Sequence, residues 1–227
     1  MAPVVTFDLF SALLDSRSGG SAALSRLGGE RGWAASGEEV YDVWDALNKA
    51  AQGDCRVWVP YAQLARDALT RTYDRLGLVG DPAADVEVLL RSMAAWSPWP
   101  DVAPGLPQVA ARFPVGVLSN VDDELFERTQ VAALVRRDLV LTSERLGVYK
   151  PAPAIYERAR EACGGDLVHV ATSARDVRGA LEAGARVVRL RRPGHHLDPD
   201  GPVPTWEVDT VPELGELLGD AVLRPQG

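Results

Sequence analysis

The stretch VGVLSNVDDELFERTQVAALVRRDLVLT, residues 115–142, sets the reading of the whole chain. It is apolar from Val115 to Leu118, breaks at Ser119-Asn120, turns amphipathic from Asp122 to Val135 and is apolar again from Leu139 to Thr142. A short apolar run, a helical period and a second apolar run make the strand–helix–strand rhythm of a parallel sheet. The rhythm continues downstream. It predicts a helix over 153–163, a strand over 167–171, a helix over 175–183, a strand over 186–190, a strand near Trp206 and a closing helix around 211–218. Upstream, Pro3-Val4-Val5-Thr6-Phe7 runs into Asp8 as a strand buried on both faces does.

Between that first strand and residue 98 the period is helical. Residues 16–32, with glycines at 19, 20, 28 and 29, read as loop-rich. Ser36-Gly37-Glu38-Glu39 is a capping-box pattern ahead of Val40, Val43, Trp44 and Leu47 at helical spacing. A second helix spans Pro60 to Leu76, with proline at its start and Gly77 past its end, and a third spans 83–93. Ser97-Pro98-Trp99-Pro100 punctuates the return to alternation. The expected architecture is α/β: a Rossmann-like doubly wound parallel sheet core from 1–15 and 99–227, with an inserted helical cap over 16–98.

Composition narrows the function classes. With 227 residues, 46 % hydrophobic and 25 % charged, the chain is long enough to bury a core without disulfides or a structural metal. A net charge of -8 without an acidic or basic block argues against nucleic acid. No apolar run approaches the roughly 18 residues of a membrane helix, and the start lacks the basic residue of a signal peptide. Two distant cysteines, Cys55 and Cys163, fit a reducing cytoplasm. His169 lies in an apolar strand and reads as structural, while His195 and His196 follow Pro193-Gly194 and read as an exposed loop. Neither a metal nor another cofactor is expected. Lysine occurs only at Lys49 and Lys150, so each stands out.

In an open parallel sheet, ligands bind beyond the carboxyl ends of the strands. The residues found there are Asp8, then Ser119-Asn120, then Lys150, then Thr172 to Asp176. A carboxylate, a hydroxyl–amide pair, a lysine and a second carboxylate converging on one edge form a coherent active-site set.

These segments carry a family resemblance. Val4-Val5-Thr6-Phe7-Asp8 with Leu13-Leu14-Asp15, Gly116-Val117-Leu118-Ser119-Asn120, Gly147-Val148-Tyr149-Lys150-Pro151, and Asp176 ahead of Gly184 follow one another as in the haloacid dehalogenase-like superfamily. The chain resembles that superfamily over nearly its whole length and is nearest to its L-2-haloacid dehalogenase branch, with degenerate motifs; the inserted cap looks like the type found there and in related phosphatases. The resemblance implies that Asp8 is a nucleophile forming an ester that water cleaves. It also implies that Ser119 and Asn120 hold the anionic part of the substrate, that Lys150 keeps Asp8 ionised, and that Asp176 partners the lysine.

Four positions depart from that pattern. Phe10 stands where the phosphatases of the superfamily carry a proton-donating aspartate, and Ala171-Thr172 where they carry an acidic magnesium ligand. A metal-free site is therefore expected. An aromatic at Phe10 matches the dehalogenases, but their halide-binding cap arginine aligns with Asp45. Lys49, one turn on, either replaces that cation or pairs with Asp45; Arg17, Arg26 and Arg56 are further candidates. The water-positioning cluster is reduced to Ala171-Thr172-Ser173, and Ala12 replaces a threonine near the nucleophile. Phe10, Trp44, Lys49 and Ser173 complete the expected substrate contacts.

Three readings follow. The first is a metal-independent enzyme displacing a leaving group from carbon of a small anionic organic substrate through Asp8. The second is a repurposed enzyme of secondary metabolism, in which Asp8 is a general base for intramolecular displacement or elimination of a group such as sulfate. The third is a non-catalytic partner protein. A homodimer or a partner enzyme is compatible with each.

Overall fold

A computed structural model of the chain describes residues 2–219. Its six strands are β1 (Val4–Phe7), β2 (Val115–Ser119), β3 (Val140–Thr142), β4 (Leu167–Ala171), β5 (Arg186–Leu190) and β6 (Trp206–Val208). All pair in parallel, in the order β3-β2-β1-β4-β5-β6. This is the doubly wound α/β fold that the alternation predicts. The order reverses beside β1, so the crevice between the ends of β1 and β4 is the topological switch point where ligands bind in such sheets.

Alternation along the strands builds two cores. Val117, Val168 and Val170 join the larger apolar cluster, which is continuous with the helices inserted after β1, while Leu118, Leu167 and Ala171 join a cluster on the opposite face. Both faces are covered, which is why β2 and β4 are buried along their entire length.

Four helices lie between β1 and β2 ahead of the core helix α5: α1 (Ser16–Arg31), α2 (Gly37–Asp54), α3 (Tyr61–Leu76) and α4 (Pro82–Ser92), with α5 at Val102–Ala110. Helix α1 corrects the loop expected over 16–32. Its glycines serve packing. A Cβ at Gly19 would stand 2.5 Å from the Trp96 ring, and one at Gly20 would stand 2.2 Å from the Tyr41 ring. Two aromatic rings lie directly on the helix backbone, and their burial offsets the roughly 1 kcal/mol that each helical glycine costs relative to alanine. The chain leaves the sheet and returns side by side, for Leu14 and Pro98 form an isolated antiparallel bridge.

Downstream come α6 (Asp123–Glu127), α7 (Ser143–Leu146), α8 (Pro153–Ala162), α9 (Ala174–Glu182) and α10 (Val211–Leu217). The helix expected from Asp122 to Val135 is thus much shorter than its pattern suggests. After Glu127 the bonds tighten to i→i+3, from Thr129 to Phe126, Ala132 to Thr129 and Leu134 to Val131, and the Thr129 hydroxyl also donates to the Phe126 carbonyl. Asp122 is drawn elsewhere: its carboxylate accepts from the backbone N–H of Tyr61 (2.7 Å) and Ala62 (2.9 Å), capping α3 directly.

Among the described residues no helix is long and apolar enough to cross a membrane. Both cysteines are free thiols.

Candidate active site

Asp8 follows β1 directly and is held by the turn it begins. Its backbone N–H donates to Val170 O across the switch point, and it caps a short helical turn over Leu9–Leu13. Ser11 closes that turn, donating to Asp8 Oδ2 from its backbone N–H (3.1 Å) and its hydroxyl (2.6 Å). Oδ1 accepts from Lys150 Nζ at 2.8 Å.

Lys150 is saturated. Its three ammonium donors go to Asp8 Oδ1, to Leu118 O (2.9 Å) and to Asp176 Oδ2 (2.6 Å). Its backbone is pinned as firmly. Asn120 Oδ1 accepts from Lys150 N–H (2.7 Å), and Asn120 Nδ2 donates to Lys150 O (2.9 Å) and to Gln52 Oε1 of α2 (2.8 Å). Arg175 donates to the same Lys150 carbonyl.

Asp176, in the first turn of α9, spends both oxygens. Oδ1 accepts from the Tyr156 hydroxyl (2.8 Å), while Oδ2 accepts from Lys150 and lies 3.1 Å from His169 Nε2. The other ring nitrogen, Nδ1, meets the Thr6 hydroxyl at 3.1 Å. A neutral ring that donates from Nε2 to the carboxylate accepts the Thr6 proton at Nδ1, so every polar atom of this buried chain has a partner.

Charge follows from this geometry. Burial alone pushes the Asp8 carboxyl up, and the neighbouring Asp176 carboxylate pushes the same way. The Lys150 ammonium, with its hydrogen bond and that of Ser11, more than offsets both, so Asp8 sits below the usual aspartate value. Burial also opposes ionisation of Asp176, yet Lys150 and His169 hold it well below the ordinary range. Burial pulls the Lys150 ammonium down, and its two carboxylates raise it above an ordinary lysine. The three groups are ionised together, with one net negative charge.

Above Asp8 opens a cavity of about 700 Å³, a size suited to a small organic ligand. Its walls are aromatic. Phe10 stacks on Tyr61 with ring centroids 5.9 Å apart and meets Trp96 edge-on at 6.0 Å. Trp44 also lines it, with its indole N–H donating to Ala65 O at 3.0 Å. Ser119 lines the floor, and its buried Oγ has no hydrogen-bond partner among the described residues. Ser173, the residue ahead of α9, lines the cavity without capping that helix by its side chain. Lys49 lies at the rim and pairs with Asp45 at 2.5 Å.

The structure therefore joins Asp8, Lys150 and Asp176 in one hydrogen-bonded set. It places Phe10, Trp44, Ser119, Asn120, Lys49 and Ser173 around the cavity, with the amide of Asn120 committed to Lys150 and Gln52. Arg17 lines the cavity as well, tied to Asp42 through two hydrogen bonds, whereas Arg26 and Arg56 are exposed away from it.

Several members of the site escape the sequence reading. The serine three residues after Asp8 carried a signal, since an aspartate commonly caps a turn at that spacing. Tyr156 carries none that period analysis detects, and His169 reads only as interior, its partners lying outside its own strand. His195 corrects an expectation, for it is half-buried and lines the cavity rather than lying in open loop. Burial, reinforced by Lys49, depresses its pKa against the pull of Asp8 and Asp45. Arg175 is the other omission.

Comparison with known proteins places this geometry. The family model for haloacid dehalogenase-like hydrolases matches residues 3–184. The chain is 30 % identical to the (S)-2-haloacid dehalogenase 4A of Burkholderia cepacia, an alignment covering 96 % of this chain and 95 % of that one. It is 28 % identical to the pyrimidine 5'-nucleotidase YjjG of Escherichia coli, over 79 % of this chain and 83 % of that one. The solved structure of L-2-haloacid dehalogenase from Xanthobacter autotrophicus superposes with a TM-score of 0.81 at 22 % identity, covering 97 % of this chain and 100 % of that one.

Proposed function

This chain belongs to the haloacid dehalogenase-like hydrolases, and from that premise we propose that it displaces a leaving group from carbon of a small organic anion through Asp8, without a metal. The observation that carries the reading is the pairing of Asp8 with Lys150 at 2.8 Å on the cavity floor, with Phe10 two residues further on. The lysine keeps the carboxylate ionised and oriented. An aromatic ring cannot protonate a leaving group, so the departing group must be stable as an anion, as a halide is.

In this reading an Asp8 oxygen attacks carbon, the bond to the leaving group breaks with its electron pair, and an aspartyl ester forms. Water then cleaves the ester and returns the carboxylate. Residues 16–98 act as a cap over the core of 1–15 and 99–227, supplying the aromatic wall through Trp44, Tyr61 and Trp96.

The donor set supports the metal-free form. A hard dication takes several oxygen ligands, usually including carboxylates. Asp176 is spent on Lys150, Tyr156 and His169, and the Thr172 hydroxyl on Leu190 O at 2.6 Å. Asp8 is itself paired with Lys150 and Ser11, so the strand-end residues present do not fit a magnesium site.

Thr172 also favours a second reading. Turned onto Leu190 O and fully buried, it cannot orient a water. A site poor in water-positioning groups suits a substrate that carries its own nucleophile, with Asp8 taking the proton as general base.

Intact-protein mass after incubation with (S)-2-chloropropionate separates the two. The expected result is a substrate-derived mass increase on the wild type that is absent from Asp8→Asn, with oxygen-18 from labelled water entering Asp8 over repeated turnover. Turnover by Asp8→Asn, or no ester and no turnover with any 2-halo acid, would overturn the first reading.

A further inference from the structure

The cavity holds four guanidinium or ammonium groups among the described residues, and three are neutralised. Arg17 is bidentate on Asp42 at 2.9 and 2.8 Å, Lys49 pairs with Asp45, and Lys150 bridges Asp8 and Asp176. Arg175 is not. Its sole hydrogen bond goes to the neutral Lys150 carbonyl, so one of the five donors of its guanidinium is used and no carboxylate lies within ion-pair distance among the described residues.

Its setting makes that costly. Arg175 is the second residue of α9, where the positive end of the helix dipole disfavours a cation. It is half-buried against α2, such that a Cβ on Gly53 would lie 3.7 Å from its Nη2. Desolvation pulls its pKa below that of an ordinary arginine despite the pull of the Tyr156, Asp176 and Asp45 side chains. On the same cavity floor the Ser119 hydroxyl, fully buried, lacks a partner among the described residues. A guanidinium with unused donors and no ion-pair contact, and a hydroxyl without a partner among the described residues, line one cavity and are both satisfied by an anion that enters from outside.

Resting on the displacement reading above, which already gives Ser119 to the substrate's anionic part, we propose that Arg175 is a further residue of that subsite and binds the substrate's own carboxylate from the sheet core. A planar fork of N–H donors matches the two oxygens of a carboxylate better than a spherical halide. The Lys150 carbonyl, itself pinned by Asn120, fixes one corner of the guanidinium. The carboxylate is thereby held at a set position relative to Asp8, while the leaving group lies toward the rim.

The probe is propionate, an unreactive short carboxylate, with propionamide as its neutral counterpart, both read by quenching of tryptophan fluorescence. Arg175→Met is expected to weaken propionate about 10- to 100-fold and leave propionamide unchanged. Ser119→Ala, which deletes an oxygen lacking any internal partner and so spares the fold, is expected to weaken propionate about 3- to 10-fold. Wild-type affinity for propionate in either variant, equal loss of both probes, failure of the wild type to bind propionate, or chloride binding as tightly as propionate overturns the assignment. An Asp8 ester whose formation ignores Arg175 sinks this subsite and leaves the displacement reading standing. Arg175-dependent propionate binding without any ester does the reverse.

Discussion

The chain has two lysines, and they sit in opposite regions of one cavity. Lys150 lies on the floor with 6 % of its side chain exposed, bonded to two carboxylates and a carbonyl. Lys49 lies on the rim, 46 % exposed, paired with Asp45 one helical turn before it. The rim contact is the shorter, at 2.5 Å against 2.8 and 2.6 Å on the floor. Distance is therefore a poor guide to what each pair is worth. On the floor, removing the cation strands two charges away from water; on the rim, water replaces the partner at once. The floor is a fixed electrostatic frame, and the rim can vary without cost to the fold.

The largest effect expected from breaking this contrast comes from Lys150→Met. With Asp8 and Asp176 left facing each other in a buried site, unfolding in urea should show a loss of about 3–5 kcal/mol, and ester formation on Asp8 should disappear. The pH dependence should change sign along with it. In the wild type both carboxyls are held below the ordinary aspartate value of 3.8, so their contribution is complete above about pH 4 and drains away as pH falls further. Lys150 is held above the ordinary lysine value of 10.5, so its contribution is complete below that pH and is lost as pH rises through the folded value. Without the lysine, burial dominates and raises both carboxyls. The variant should then gain stability as acid protonates them above about pH 4, where the wild type is still flat, and only the wild type should lose stability on going lower. Urea midpoints from pH 7 down to pH 3 distinguish the two slopes.

A smaller effect tests how far the floor extends. His169→Phe keeps the strand apolar but removes a hydrogen bond to Asp176 and leaves the Thr6 hydroxyl without its partner in the fully buried interior. A loss of about 1–3 kcal/mol is expected, the cost of an unsatisfied buried polar group, read from the same urea curves. Thr6→Val in the same chain should return part of it, because replacing both partners of a buried pair costs less than orphaning one. A double variant no better than His169→Phe alone would detach Thr6 from the floor.

The contrast also marks where the sequence is readable. Asp8, Ser119, Lys150 and Asp176 are legible because each follows an apolar run, and a parallel sheet gathers strand ends at one edge. The short period of β4 likewise marks His169 as interior, but its partners come from register: Thr6 stands opposite it on β1, and no single-strand pattern reports a neighbour. Helix α1 was obscured by glycines whose reason lies in Trp96 and Tyr41, distant in the chain. Arg175 had a faint local signal, a cation in the first turn of a helix where the dipole opposes it. Its meaning emerges only once Asp42 and Asp45 are seen to occupy the other cations. The floor is set by topology, which composition and period encode, whereas the rim is set by side-chain pairing between elements, which they do not.

The smallest effect sharpens the comparison from the other side. Asp45 and Lys49 are spaced i,i+4 on α2 with the acid toward the N-terminus, the favourable orientation for an exposed helical pair, and such pairs contribute about 0.3–0.5 kcal/mol. Lys49→Met should lower stability by no more than that, and 1 M salt should erase the difference, since the Debye length then falls to about 3 Å. Lys150→Met should keep most of its deficit at the same salt, because screening ions do not reach a buried pair. A loss of several kcal/mol from Lys49→Met, insensitive to salt, would mean that the rim is as rigid as the floor. It would then follow that Asp45, half of a fixed pair, holds Lys49 at one place in the cavity wall, and the rim would count as part of the electrostatic frame rather than as its adjustable edge.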